Sequence, residues 1–362
     1  MKINILCAKF IYILDTIFVF LGFKMSKRIS LWDNLKFFLM FLVVLGHLTL
    51  QYFDSSRMFC TMTMVIYTFH MPAFVFVSGL FSKHSINSDK APIKKSFSFL
   101  MLYFFARILN YFSNIIFGVH SYFDIFSAKD VPWYMMAMAL WYLIVWALRK
   151  VDTKYIFVTS VVIACFAGYM KGETDFLCIL RLVTFFPFFY AGYVLDADTI
   201  NEVTSKKSAK IFSAVYFALF VLIVTLTNDD NKDLFPLLSG RRRYFALDDN
   251  IEDFGALLRF AYFVAVSLLI FSIISLCPRK ELKTTKYGSK TLQIYVYHRP
   301  FLYIMKNAGL FYLIRKIGPG WEWVALALII LLTALLCMNF WQKPLDYIMN
   351  PKLKGENYAS SK

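Results

Sequence analysis

LWDNLKFFLMFLVVLGHLTLQY, residues Leu31–Tyr52, is the stretch on which the reading of the chain turns. It is long enough to cross a bilayer, for which about 20 mostly apolar residues suffice. Yet it carries Lys36 near one end and His47 well inside. The two lie eleven residues apart. At 100° per residue that is three turns plus about 20°, so they share one helix face with about 16 Å of rise between them. An ionisable group in hydrocarbon costs about 2.5–3.5 kcal/mol on insertion scales, so such residues normally face a polar interior and mark a site. The bland alternative is a lysine snorkelling to the interface and a histidine satisfied by a neighbouring helix.

Outward from that stretch, the composition sets the class. Hydrophobic residues make up 59% of the chain and charged ones 17%, which excludes an ordinary soluble protein. Apolar runs recur at about 31–53, 60–82, 96–119, 132–148, 155–170, 177–195, 211–227, 254–276, 291–314 and 321–341. The predicted fold is all-α, a polytopic transmembrane bundle of about ten core helices in residues 25–345, with a tail at 346–362. Ahead of it, Ile3–Phe23 is apolar but contains Lys9 and Asp15 and lacks a small-residue cleavage site. Residues 1–24 therefore read as an extra helix, an uncleaved anchor or an over-extended gene start, with Met25-Ser26-Lys27-Arg28 a natural beginning.

A net charge of +16 raises the question of nucleic acid, and its distribution answers it. The basic residues sit in short loops between apolar runs, a topology signal rather than a binding surface. Lys83, Lys90, Lys94 and Lys95, then Arg149, Lys150 and Lys154, then Arg279, Lys280, Lys283, Lys286 and Lys290 fall on one side, with far fewer opposite. That asymmetry predicts a multi-pass cell-membrane protein with both core termini cytoplasmic. The long opposite connection Asn228–Asp253 combines Asp229, Asp230, Asp233, Asp248 and Asp249 with Arg241-Arg242-Arg243; it reads as a solvated loop or as a cover facing the substrate. Six cysteines lie in or beside apolar segments without any C-x-x-C pair, so neither a metal site nor a disulfide framework is expected.

Lys36, ten residues, then His47 within DNLKFFLMFLVVLGH resembles the basic-x10-His signature of the acyltransferase family 3 membrane proteins, its fucose 4-O-acetylase-like branch most closely. FHMPAFVFVSG (Phe69–Gly79), PWYMMAMALWYL (Pro132–Leu143), FFPFFYAGYVL (Phe185–Leu195) and SKTLQIYVYH (Ser289–His298) are similar to its later landmarks and stand in the same order. The likeness runs from about Arg28 to Trp341. It implies an O-acyltransferase of the bacterial inner membrane that takes acetyl from cytoplasmic acetyl-CoA, with no resident cofactor, to a hydroxyl of a cell-surface polysaccharide or lipid-linked sugar. A neutral histidine, with an ordinary pKa near 6.5, suits the general base, and His47 is the candidate; carrying the acetyl group itself is the other role open to it.

Lys36, Lys94, Lys95 and Arg107 are the candidates for the donor end, since coenzyme A carries phosphates. The family pattern has arginines and a proline where this chain has Ser98 and Leu102, which sets its donor end apart. His70, before Met71-Pro72, and His298, before Arg299-Pro300, each lie beside a helix-interrupting proline, where a hydrogen-bonded kink is the structural alternative. Together with Trp133, Arg181 and Arg259 they are the candidates for a central cavity that takes the acceptor. Trp141 reads as an interfacial-belt aromatic. The competing class, a transporter or flippase for polysaccharide or isoprenoid-linked sugar, explains buried charges equally well and leaves the Lys36/His47 pattern to coincidence.

Overall fold

The computed structural model describes residues 30–120, 123–127, 131–170, 175–227, 232–247 and 249–349. The segment 1–24 and the tail from residue 350 onward lie outside the described residues. The helices are α1 (Ser30–Thr49), α2 (Arg57–Leu80), α3 (Ile93–Ile115), α4 (Trp133–Leu148), α5 (Thr153–Phe166), α6 (Ile179–Val194) and α7 (Ala197–Ser205). They continue with α8 (Lys207–Leu226), the short α9 (Phe235–Ser239), α10 (Gly255–Leu276), α11 (Thr291–Asn307), the short α12 (Leu310–Arg315), α13 (Trp321–Leu336) and α14 (Gln342–Met349). No strand forms among the described residues; Ser127 and Phe176 make an isolated bridge. The fold is an all-α membrane bundle, as the apolar runs predict.

A helix occupies each of the ten runs, but length and apolarity qualify fewer of them as spans. Four pass, namely α1 with its extension to Tyr52, α2, α8 and α10, and six if each of two bent pairs counts as one. The bends are 91° between α6 and α7 and 60° after α13. The others fall short for physical reasons. α4 and α5 have 16 and 14 residues, and α3 carries Asn110, Ser113 and Asn114, with Asn114 accepting from Asn307 of α11 at 3.0 Å. Interior helices of a bundle need not be apolar on every face.

α1 sits inside. Leu31, Leu35, Leu39, Val43, Val44 and Leu48 are buried, and the helix packs against α2, α11, α13 and the segment Thr285–Lys290. Its first turn is clamped: the Asn34 amide donates to the carbonyls of Pro278 (2.8 Å) and Lys280 (3.0 Å), and its oxygen accepts from Thr285 Oγ1 at 2.6 Å. Gly288 lies against this turn, where a Cβ would come 2.5 Å from the Asp33 carbonyl oxygen.

α2 and α6 cross backbone to backbone. A Cβ on Gly79 would stand 2.0 Å from the Phe189 carbonyl oxygen, and one on Gly192 would stand 2.0 Å from that of Phe76. Small residues at helix crossings are how membrane bundles gain van der Waals contact without a hydrophobic drive between helices. Pro72 lies within α2. Having no N–H, it leaves the carbonyl four residues back, that of Thr68, without its helical donor. The Tyr262 hydroxyl of α10 supplies one at 3.0 Å. In hydrocarbon an unserved carbonyl costs several kcal/mol, so this bond is what lets the proline stand there.

Candidate active site

Two cavities open at opposite ends of α1. The larger, about 370 Å³, surrounds His47 and is lined by Tyr67, His70 and Met71 of α2, Trp133, Arg181, Tyr295, Arg299 and residues of the 235–246 segment. The smaller, about 240 Å³, holds Lys36, Ser78, Phe81, Lys95, Phe99, Tyr134 and Tyr142, with Tyr295 on its wall as well. The helical period thus does what the sequence spacing predicts: one face of α1 sends a cation into one cavity and an imidazole into the other.

At the His47 end three histidines from three helices converge. The rings of His47 and His298 lie 5.4 Å apart, and Tyr67 bridges to His70, its hydroxyl 3.3 Å from His47 Nδ1 and its ring 5.0 Å from that of His70. Backbone carbonyls orient two of them. His70 Nδ1 lies 2.6 Å from the Ile66 oxygen, and His298 Nδ1 lies 2.7 Å from that of Tyr295. A carbonyl only accepts, so Nδ1 carries the hydrogen in both rings. His47 differs, because a phenolic hydroxyl both donates and accepts. Donation from His47 Nδ1–H to Tyr67 leaves the Nε2 lone pair for a substrate proton.

Guanidinium groups, those of Arg181, Arg241, Arg242 and Arg299, supply the charged part of the remaining lining. Arg181 packs over Trp133 (4.8 Å), and Arg299 over Tyr303 (4.5 Å), to whose hydroxyl it donates at 3.3 Å. Arg241 makes a forked pair with Asp175, at 2.8 and 2.9 Å, tying the long connection to the entrance of α6. Arg181, Arg241 and Arg299 thus line the same cavity as His47, and guanidinium groups are the kind of donor that stabilises a developing oxyanion.

The long connection is not a free solvated loop over its described part. Phe235, Pro236, Leu238 and Ser239 form one side of the cavity, and Phe235 packs on Phe53 (5.4 Å) and Tyr67 (5.1 Å). Gly240 ends α9 at φ +61°, a left-handed conformation that favours glycine. Tyr244 anchors the chain beyond α9: its ring fills a socket floored by Gly168 and Gly255, where a Cβ would come 2.4 and 2.3 Å from it. Its hydroxyl donates to the Cys165 carbonyl at 2.7 Å. Burial pushes the Tyr244 phenol above its ordinary pKa, which keeps that donor protonated.

The structure separates several of the candidate residues. Lys36 and Lys95 share the smaller cavity. Lys36 pairs with Asp33 at 3.2 Å and lies over Phe81, with Lys95 over Phe99. Lys94, next in sequence, is exposed. Arg107 lies 13 positions along α3 from Lys94, about 20 Å of helix rise. It donates to the Asp124 carbonyl at 2.6 Å, so the structure does not bring it to Lys36 and Lys95. Arg259 is buried but lies behind the cavity, donating to the Leu237 carbonyl at 2.7 Å and so holding α9. Trp141 corrects the interfacial reading: it is fully buried, stacked on Phe189 and bonded to the Leu182 carbonyl at 3.0 Å. Tyr67, Tyr295 and Ser239 join the site without having been singled out as candidates, and Arg241 and Arg242 bear out the substrate-facing alternative for their connection only in lining the cavity. Tyr295 and Arg299 stand inside or next to the SKTLQIYVYH motif, which was the available signal.

A family model described as an acyltransferase domain matches residues 29–339. The chain belongs to acyltransferase family 3. The match covers nearly the same residues as the motifs in Arg28–Trp341. No curated protein and no solved structure matches the chain. As a family member with long apolar helices, this acyltransferase is a membrane protein.

Proposed function

We propose that this acyltransferase moves acetyl from cytoplasmic acetyl-CoA to a hydroxyl of a cell-surface polysaccharide or lipid-linked sugar, as a fucose 4-O-acetylase-like enzyme of a bacterial inner membrane. The observation that carries the reading is the pair of cavities joined by one helix, with cations in one and a histidine cluster in the other. Coenzyme A phosphates suit the Lys36/Lys95 end. The sugar enters beside His47, with His70, Trp133 and Arg181 on the walls.

The thioester arrives already activated, so the protein must position it, take a proton and hold an oxyanion. His47 Nε2 removes the acceptor hydroxyl proton as that oxygen adds to the acetyl carbonyl. The tetrahedral oxyanion meets Arg299 and Arg181. Collapse breaks the C–S bond, and the imidazolium returns its proton to the leaving thiolate. The acceptor ester and free CoA thiol are the products, and His47 is neutral again. The lysine-rich loops Lys83–Lys95 and Arg279–Lys290 would face the cytoplasm.

Mass spectrometry of surface glycans tests this in cells lacking the gene and complemented with wild type or His47→Gln. Acetyl groups present with wild type and absent in the other two are expected. An unchanged acetylation pattern in the deletion strain, together with sugar-lipid accumulation on one leaflet, would instead support the transporter.

A further inference from the structure

The His47 cavity and the Lys36 cavity are neighbours with one residue, Tyr295, on the wall of both. Tyr295 of α11 is buried and lines both. Its ring meets that of Tyr134 edge to face at 5.4 Å and lies 5.9 Å from His298. Its hydroxyl donates to the Val131 carbonyl at the entrance to α4. Tyr134 is held in turn by a 2.5 Å hydrogen bond between its hydroxyl and Ser78 of α2. Three helices therefore fasten one aromatic wall between the Lys36 cavity and the His47 cavity.

We infer that Tyr295, braced by Tyr134, is the partition the acyl arm displaces, and that it is a positioning residue for the transfer. This rests on the two-ended reading above. A thioester bound from the Lys36 side has to cross this wall to meet His47, because α1 holds the two ends about 16 Å apart. The wall is also built to yield. Pro300 stands in α11 and removes the helical donor to the carbonyl of Val296, the residue next to Tyr295. Closed, the wall denies water a continuous path to the thioester, which is one recognised use of a sealed site.

The test needs no acceptor. In membrane vesicles of either orientation, the full chain carries a reporter cysteine at Met71, on the His47 cavity, or at Leu292, on the Lys36 cavity. The probe is an impermeant cationic methanethiosulfonate. The unmodified chain, whose described cysteines are buried, gives the background. With Tyr295 intact, the Met71→Cys and Leu292→Cys reporters should react from opposite faces. Adding Tyr295→Ala should make Leu292→Cys react at least tenfold faster from the face that labels Met71→Cys, with Tyr295→Phe intermediate. Equal labelling of Leu292→Cys from both faces in the presence of Tyr295, or unchanged sidedness in Tyr295→Ala, overturns the partition. If Tyr295→Ala fails to reach the membrane, Tyr295→Leu, which keeps bulk but neither ring nor hydroxyl, decides on the same criterion. Acetyl-CoA added on the Leu292 face should slow that labelling; lack of protection counts against the donor reading and leaves the sidedness result to decide the partition.

Discussion

α1 and α8 are helices of similar length with opposite surroundings. α8 is the more apolar, with mean hydropathy 2.2 against 1.6, yet 6% of its apolar window is buried against 61% for α1. In water that order would be reversed, because burial follows apolarity. In a membrane the lipid is as apolar as leucine, so the most hydrophobic helix belongs at the rim and the one carrying polar groups belongs at the centre. α8 leans on α10, where Tyr216 bonds the Ala265 carbonyl at 3.1 Å, and turns Ile211, Val215, Leu219, Leu222 and Leu226 outward. Lys36 and His47 stand on α1 because it has cavities to put them in.

The contrast can be broken from either side. Leu219→Lys should cost about 2.5–3.5 kcal/mol of insertion, read as loss of membrane-inserted protein in a glycosylation or protease-protection assay. Equal tolerance of lysine at Leu219 and at Lys36 would end the distinction. His47→Gln should insert normally and lose at least about 10²-fold in acetyl transfer, the low end for a general base. Near wild-type transfer, normalised to protein by immunoblot, would falsify that role. Tyr244→Phe keeps the ring in its glycine socket and removes one hydrogen bond, so about 0.5–1.5 kcal/mol should be lost. Thermal unfolding in detergent measures it, and faster proteolysis within 232–247 should accompany it. Leu222→Ala should stay within about ±0.5 kcal/mol and leave transfer unchanged; a larger drop in the same melt would show that something other than lipid covers α8.

The helices and the Lys36/His47 pair were legible because each depends on local spacing alone. Tyr295 and Tyr67 were not. They are two of 22 tyrosines, and their significance comes from partners on other helices or loops, Val131 and Tyr134 for one, His47 for the other. Grouping Arg107 with Lys95 failed for a related reason: a shared helix does not mean a shared end. For Asn228–Asp253 the sequence left a solvated loop and a substrate-facing cover both open, because the packing of its described part depends on Tyr244 meeting two glycines that lie outside it. Trp141 misled because its position between apolar residues suits a belt and a core equally, and the Leu182 carbonyl that satisfies its N–H belongs to another helix.

The crossing of α2 on α6 has a genetic consequence. At most tight contacts a damaging enlargement can be rescued by trimming the side chain opposite. Opposite Gly79 and Gly192 the nearest atoms are carbonyl oxygens of Phe189 and Phe76, which no codon change can shrink. Loss-of-function alleles at these two positions should therefore yield no intragenic suppressors at the facing residues, and a selection for revertants should return glycine itself.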